Sequence, residues 1–349
     1  MPQQGQVQLA PEVFLDRLLD DLRVPGKILV ATHDNPDPDS LASALGLQAL
    51  FGATLGRETV IGFGGMVGRA ENRTLVETCQ IPLVALDDID YSNFSTRVLV
   101  DAQPDTGNNS IPPDVGLDLV VDHHPLREHT LQRARWVDVR SDFGASATIV
   151  AQYLMTKNVE FPALLATAFL YALKSETQDL GVHANEIDRS VYLHLLPRVD
   201  ARALFEITHP KVSREYFRIL GRLVRQTQLY GKAAVLYIGR VSNPDLVAEM
   251  ADQLMRLQAI EWALCMGTFA NEFFLSMRTS HEGGGAGQMI QRVVRGLGRA
   301  GGHGMMAGGR VRSVPRDRKS RQDLAGMMRD RFLAELDLGA TQPRSILDH

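Results

Sequence analysis

At 349 residues the chain is longer than one core of ordinary size, roughly 100–150 residues, accommodates, so two domains are expected. Hydrophobic residues at 44% and charged residues at 22% exclude a disordered or fibrous chain, and two distant cysteines, Cys79 and Cys265, exclude a disulfide framework and a thiolate zinc site. The net charge of −4 divides unevenly: Arg278 to Arg331 holds 12 Arg or Lys against 4 Asp or Glu, a surplus of eight, so the remainder carries −12. An acidic part that holds metal and a basic part that grips anions are expected, the plain alternative for the arginines being a solvated face.

In chain order, the polar opening "MPQQGQVQLAPEV" lacks a basic segment followed by an apolar one. The most apolar stretch, "FPALLATAFLYAL", has 13 residues, too few to span a bilayer, so a cytoplasmic protein without membrane contact is expected. "GKILVATH" (26–33), "RVLVDA" (97–102) and "LDLVVDHH" (117–124) are short β-branched runs that each end in acid or histidine. Such runs fit buried parallel strands with chemistry at their carboxyl ends. Helices are expected at 39–56, 144–157 and 161–175, and the alternation predicts an α/β sheet with helices on both faces. Residues 198–228 read as a charged helical connector. A strand at 232–240, a helix from Pro244 to about Gln258 and a hairpin of "WALCMGTFA" and "EFFLSMRTS" around Asn271 predict a second α/β unit. From 283 to 309, 11 of 27 residues are glycine, which marks tight turns or close backbone approach.

The chemistry gathers at the ends of the first strands. "HDNPDPDS" gives His33, Asp37 and Asp39 the pattern H-x-x-x-D-x-D, and Pro36 and Pro38 keep the segment out of the helix before Asp39. Asp39 or Ser40 is then expected to cap the helix. Two carboxylates beside an imidazole are a costly cluster unless a divalent cation neutralises them. Asp101 ends the second strand and Asp122, His123 and His124 the third, and carboxyl ends of a parallel sheet lie together. Capping and surface turns explain any one of these residues; their coincidence predicts a metal site.

"HDNPDPDS", "VLVDA" and "VVDHHP" resemble the first three motifs of the DHH phosphoesterase superfamily, which includes RecJ-type exonucleases, family II pyrophosphatases, exopolyphosphatases and oligoribonucleases. "SMRTS" and "GGHGMMAGG" resemble the glycine-rich domain that accompanies many members, especially the oligoribonuclease (nano-RNase) and pAp phosphatase branch. The resemblance implies two α/β domains, a parallel-sheet catalytic domain over 1–200 and a smaller mixed-sheet domain over 229–349, joined by a linker at 201–228, with the active site in a cleft between them. It implies two Mn²⁺ ions bridged by Asp101, one held by His33 and Asp37, the other by Asp39, His123 and a fourth-motif acid. Glu176 of "LKSETQDLG" stands where the family has aspartate before threonine, with Asp179 as competitor. His124 is left for substrate and leaving group, and Asp122 orients a histidine. Other divalent metals suit the same ligands.

No P-loop and no serine nucleophile order is present, so attack by metal-activated water is expected. Gly301 and Gly302 offer backbone N–H groups to an anion, and Arg278 and His303 add charge and a donor. Only 6% of residues are aromatic, so no single-strand track is expected, and an enclosed, glycine-walled cleft suits a short anionic molecule better than duplex DNA. The expected substrates are short RNA, di- to pentaribonucleotides, or a small phosphorylated nucleotide such as 3′-phosphoadenosine 5′-phosphate (pAp). Alternatives are a pyrophosphatase or exopolyphosphatase, a cyclic-dinucleotide phosphodiesterase, and a nucleotide-binding regulator without turnover. A homodimer rests on the resemblance alone.

Overall fold

A computed structural model describes residues 10–281, 283–312, 314 and 317–348, and the chain divides into one unit that runs to Pro210 and a second that starts at Lys211. The first unit opens with helix α1 (Pro11–Asp21), then strand β1 (Lys27–Ala31), α2 (Pro38–Leu55), β2 (Thr59–Phe63), α3 (Ala70–Thr78) and β3 (Leu83–Ala85). It continues with β4 (Phe94–Val100), β5 (Leu117–Asp122), α4 (Thr130–Arg133), β6 (Ala134–Val139) and the helices α5 (Ser146–Thr156), α6 (Ala163–Glu176), α7 (Glu186–Leu195) and α8 (Ala201–Thr208). Its six strands run in the order β3-β2-β1-β4-β5-β6 and pair in parallel throughout. That order reverses direction between β1 and β4, and ligand sites of open parallel sheets gather outside the strand carboxyl ends at such a switch.

Side chains alternate across this sheet as the period of two requires. Ile28, Val30, Val98, Val100, Leu119 and Val121 enter the large core built with α1, α2, α5 and α6. Leu29, Ala31, Leu99 and Val120 point the other way into a smaller core. The expectation of helices on both faces is corrected here, because that second face is covered by Leu86 and Tyr91 of two single 3-10 turns and by Ile89 and Ile111 of irregular segments. The crossover from β4 to β5, "QPDTGNNSIPPDVG", is built of turn residues that cannot sustain a helix.

The second unit comprises α9 (Arg214–Gln226), β7 (Gln228–Tyr230), β8 (Ala233–Arg240), α10 (Asp245–Leu254), β9 (Trp262–Phe269), β10 (Glu272–Thr279), α11 (Ala286–Val293), β11 (Arg299–His303), β12 (Met306–Val311), α12 (Arg318–Glu335) and β13 (Arg344–Ser345). Its sheet, β11-β12-β10-β9-β8-β7-β13, is mixed: β8 and β9 run parallel and the other pairs antiparallel. The segment expected as a linker is shared between the units. Ile207 of α8 is buried in the first core, whereas Ile219 and Leu223 of α9 are buried in a core of the second. Ala270 and Asn271 both take positive φ, 44° and 63°, as a tight turn between β9 and β10 needs.

Candidate metal centre

The loop after β1 brings His33 and Asp37 to the carboxyl edge of the sheet. Asp37 caps α2, accepting from Ser40 N at 3.0 Å, while Ser40 Oγ accepts from Asp37 N at 3.1 Å. Neither Asp39 nor Ser40 is the N-cap: Pro38 is the first helical residue, where its missing N–H costs nothing, which puts the cap at Asp37, two residues before Asp39. Asp39 instead reaches the start of α5, where its two oxygens accept from Ser146 N at 2.8 Å and Ala147 N at 2.7 Å. A buried carboxylate facing a helix N-terminus is favoured by the unpaired N–H groups there.

Asp101, one residue beyond β4, is buried and sits at φ 58°, a left-handed conformation that costs a non-glycine residue energy. Its Oδ2 lies 3.6 Å from His33 Nε2, and Asp37 Oδ2 lies 3.5 Å from the same nitrogen. Its Oδ1 lies 3.7 Å from His123 Nε2, which is also 3.7 Å from Asp39 Oδ2 and 3.9 Å from Glu176 Oε1. These spacings exceed good hydrogen bonds. Two donor atoms each about 2.1 Å from a shared ion, at tetrahedral to octahedral angles, stand about 3.0–3.4 Å apart, so spacings of 3.5–3.9 Å bring these nitrogen and oxygen donors close to, though slightly wider than, the separation a shared cation sets. His33, Asp37 and Asp101 form one group whose ligand atoms lie within 4.8 Å of one another, and Asp101, His123 and His124 form another, so Asp101 is common to both.

The electrostatics match that reading. For Asp101, burial and then the charges of Asp39 and Asp37 push the carboxyl well above its ordinary range. Burial also lifts Asp39 and, with Asp37 and Asp39 adding to it, drives Glu176 up to about 8. Burial opposes the charged form of His33, but Asp37 and Asp101 outweigh it and raise the imidazole well above its usual value. Of the four carboxylates, Asp37 is held below its ordinary range by His33 in spite of burial, whereas Asp39, Asp101 and Glu176 resist ionisation until further positive charge arrives.

His124 differs from His123. Its Nδ1 is 2.8 Å from Asp122 Oδ1, and although burial works against the charged ring, that bond and the nearby Asp101 raise it to about 9. Asp122 is itself fixed, accepting from Gln103 Nε2 at 2.7 Å and from His123 N at 2.9 Å. Of the two candidate fourth acids, Glu176 lies beside His123, whereas Asp179 is exposed and pairs with Lys174.

Sequence reasoning missed Gln103, Ser146 and Asp188. Ser146 donates its hydroxyl to Asp101 Oδ1 at 2.9 Å. Asp188 is fully buried and accepts from Gly144 N at 2.9 Å, Thr148 Oγ1 at 2.5 Å and Asn185 N at 2.8 Å, tying the start of α7 to the start of α5. "NEID" at 185–188 is a capping box, the signal that could have found Asp188. For Gln103 and Ser146 no sequence signal existed, since both act by proximity across the sheet.

In the second unit the predicted anion-binding residues are spread out. Arg278 is buried, its Nε donating to Asp252 at 2.5 Å and its Nη1 to Ser276 Oγ at 2.8 Å. A guanidinium held this way stabilises the sheet rather than standing open to an anion. Gly302 packs against α11, since a Cβ on Gly287 would fall 2.1 Å from its carbonyl oxygen, while Gly301 has open space around it. His303 ends β11 opposite Met306, and its side chain lies outside the described residues.

Residues 27–173 match the model of the DHH family, N-terminal domain. An uncharacterized protein of Methanocaldococcus jannaschii is 29% identical over 299 residues, 85% of this chain and 60% of that protein. An A-adding tRNA nucleotidyltransferase of Geobacter sulfurreducens is 25% identical over 158 residues, 44% of this chain and 17% of that enzyme. The chain therefore spans less than two thirds of either relative's length. An exopolyphosphatase-related protein from Bacteroides fragilis superposes with a TM-score of 0.72 over 93% of this chain and 97% of that one, at 11% identity. RecJ from Thermus thermophilus, solved in complex with Mn²⁺, superposes with a TM-score of 0.51 over 96% of this chain and 56% of that one, at 14% identity. At such identities the structural likeness concerns the fold. Within the first unit, the match to the DHH family, N-terminal domain, covers residues 27–173, less than half of the chain.

Proposed function

We propose that the protein is a Mn²⁺-dependent phosphoesterase that hydrolyses short oligoribonucleotides and small nucleotides such as pAp. The observation that carries this reading is the carboxylate of Asp101, shared between two groups of potential ligands at the switch point of the sheet. His33, Asp37 and Asp101 would hold one ion, and Asp39, Asp101, His123 and Glu176 the other. Such ions supply a water acidic enough to attack near neutral pH and polarise the phosphoryl oxygens. That RecJ of Thermus thermophilus was solved with Mn²⁺ supports the choice of metal.

The chain's own residues do the rest. Ser146 and the start of α5 fix Asp101 and Asp39, so the carboxylates need not reorganise when cations and substrate arrive. Asp122, itself held by Gln103, orients His124, whose ring is one-third exposed and, against burial, is raised above the ordinary imidazole value by that bond. From there His124 can donate to a phosphate oxygen or protonate the leaving oxygen. Hydrolysis of pyrophosphate or polyphosphate would use the same residues, so the substrate is decided by experiment. Incubation with Mn²⁺ and labelled dinucleotides, longer RNA, pAp and polyphosphate should show fast loss of dinucleotides and pAp. Turnover of polyphosphate alone would replace the nucleotide assignment by the phosphoanhydride one.

A further inference from the structure

The second unit contains a cavity of about 680 Å³ between α9, β8 and α12. It opens where strand pairing stops: β7 pairs with β8 only as far as Val235, and beyond it Arg222 of α9 donates to Ile238 O at 2.6 Å. Five arginines line the cavity, Arg222, Arg240, Arg318, Arg321 and Arg329, and among the described residues its lining carries no acid. Arg329 is paired with Asp330, 2.8 Å away outside the lining, and the remaining guanidinium groups around one concavity still make its local potential positive. All five cations are arginine, whose planar fork matches phosphate oxygens two at a time.

The floor is not merely basic. Tyr237 lines the cavity, with its ring stacked on Phe273 at 5.7 Å and its hydroxyl 3.2 Å from Thr268 Oγ1. A fixed aromatic face beside arginines offers a base a surface on which to stack. Gly326 marks the same wall. It lies inside α12, where glycine costs about 1 kcal/mol relative to alanine, and it lines the cavity wall. Packing does not require it: a Cβ there would meet nothing nearer than Arg329 Nη2 at 3.9 Å. A glycine that weakens its helix without a packing reason keeps that wall clear for a ligand.

We infer that this cavity is a binding site for a small phosphorylated nucleotide, with the phosphates on the arginines and the base over Tyr237. The volume suits a mono- or dinucleotide rather than a polymer track. Every lining residue belongs to the second unit, so this site and the candidate metal centre can be lost separately.

The test is equilibrium binding of ATP, and separately of tripolyphosphate, to the full chain in EDTA, where metal-dependent turnover is absent. One ATP per chain should bind, about ten-fold or more tighter than tripolyphosphate because the base contributes. Arg240→Gln and Gly326→Leu should each weaken ATP by about ten-fold or more, while His123→Ala leaves it unchanged. Gly326→Ala should raise the melting temperature and still weaken ATP, a combination that a purely structural glycine would not give. Absence of saturable ATP binding, equal affinity for tripolyphosphate, or loss of binding in His123→Ala with Arg240→Gln and Gly326→Leu unaffected would overturn the inference.

Discussion

Asp39 illustrates how one buried side chain meets two demands. It is placed near His123 as a ligand would be, and both its oxygens already satisfy the first N–H groups of α5. Replacing it by alanine leaves two buried donors without partners, a loss of about 2–4 kcal/mol that urea denaturation would read. A loss below about 1 kcal/mol would mean that water takes over the helix start. Glu176 gives the pH dependence. In the metal-free protein its folded value of about 8 lies above the ordinary 4.5, so the fold favours the protonated acid. That contribution is fully present below about 4.5 and is lost as pH rises through 8, so the metal-free protein should melt at lower temperature at pH 8.5 than at pH 6. Cations reverse the sign, because they require the carboxylate: Mn²⁺ should bind more tightly as pH rises, with release of protons. Calorimetry in two buffers of different ionisation enthalpy would count them, and Mn²⁺ binding without proton release would contradict this account.

Elements differ in how plainly the sequence announces them. β1, β4 and β5 are apolar β-branched runs followed by acids and histidines, so their place and the titratable residues at their ends are legible. α2, α5 and α6 are legible as well, because helical spacing and turn residues bound them. β2, β3 and β6 are short or mixed in pattern, and β11 and β12 are glycine-rich; what holds them is pairing with neighbours, which no local window contains. The cap of α2 misleads for a related reason, since the proline that looks like a barrier to the helix is its first residue. Tertiary hydrogen bonds carry testable weight. Asp188→Ala should cost about 3 kcal/mol or more, because three donors at the starts of α5 and α7 lose their acceptor. Gly287→Ala should destabilise the second unit by about 1–3 kcal/mol, since its Cβ would collide with the backbone of Gly302. Thermal unfolding of each variant checks both, and a wild-type melting curve for either would remove the role assigned here.

At the scale of the whole molecule, two α/β units with different sheets divide the charge: the first gathers mutually repelling carboxylates, and the second carries the arginine-rich segment. That division was readable from residue counts. The use of individual arginines was not, because Arg278 is buried against Asp252, whereas Arg222, Arg240, Arg318, Arg321 and Arg329, Arg329 paired with Asp330, line a cavity that only the fold assembles. No helix among the described residues is long and apolar enough to cross a membrane.

The central claim is that Asp101 joins two cation sites and that the cations drive phosphoester hydrolysis. Bound Mn²⁺ per chain and hydrolysis of a labelled RNA dinucleotide should be measured together on metal-stripped, reloaded wild-type protein and on Asp101→Asn. The account predicts two ions per wild-type chain, and in the variant loss of at least one ion with a fall in rate of about 100-fold or more. Undiminished metal content and turnover in Asp101→Asn would contradict it.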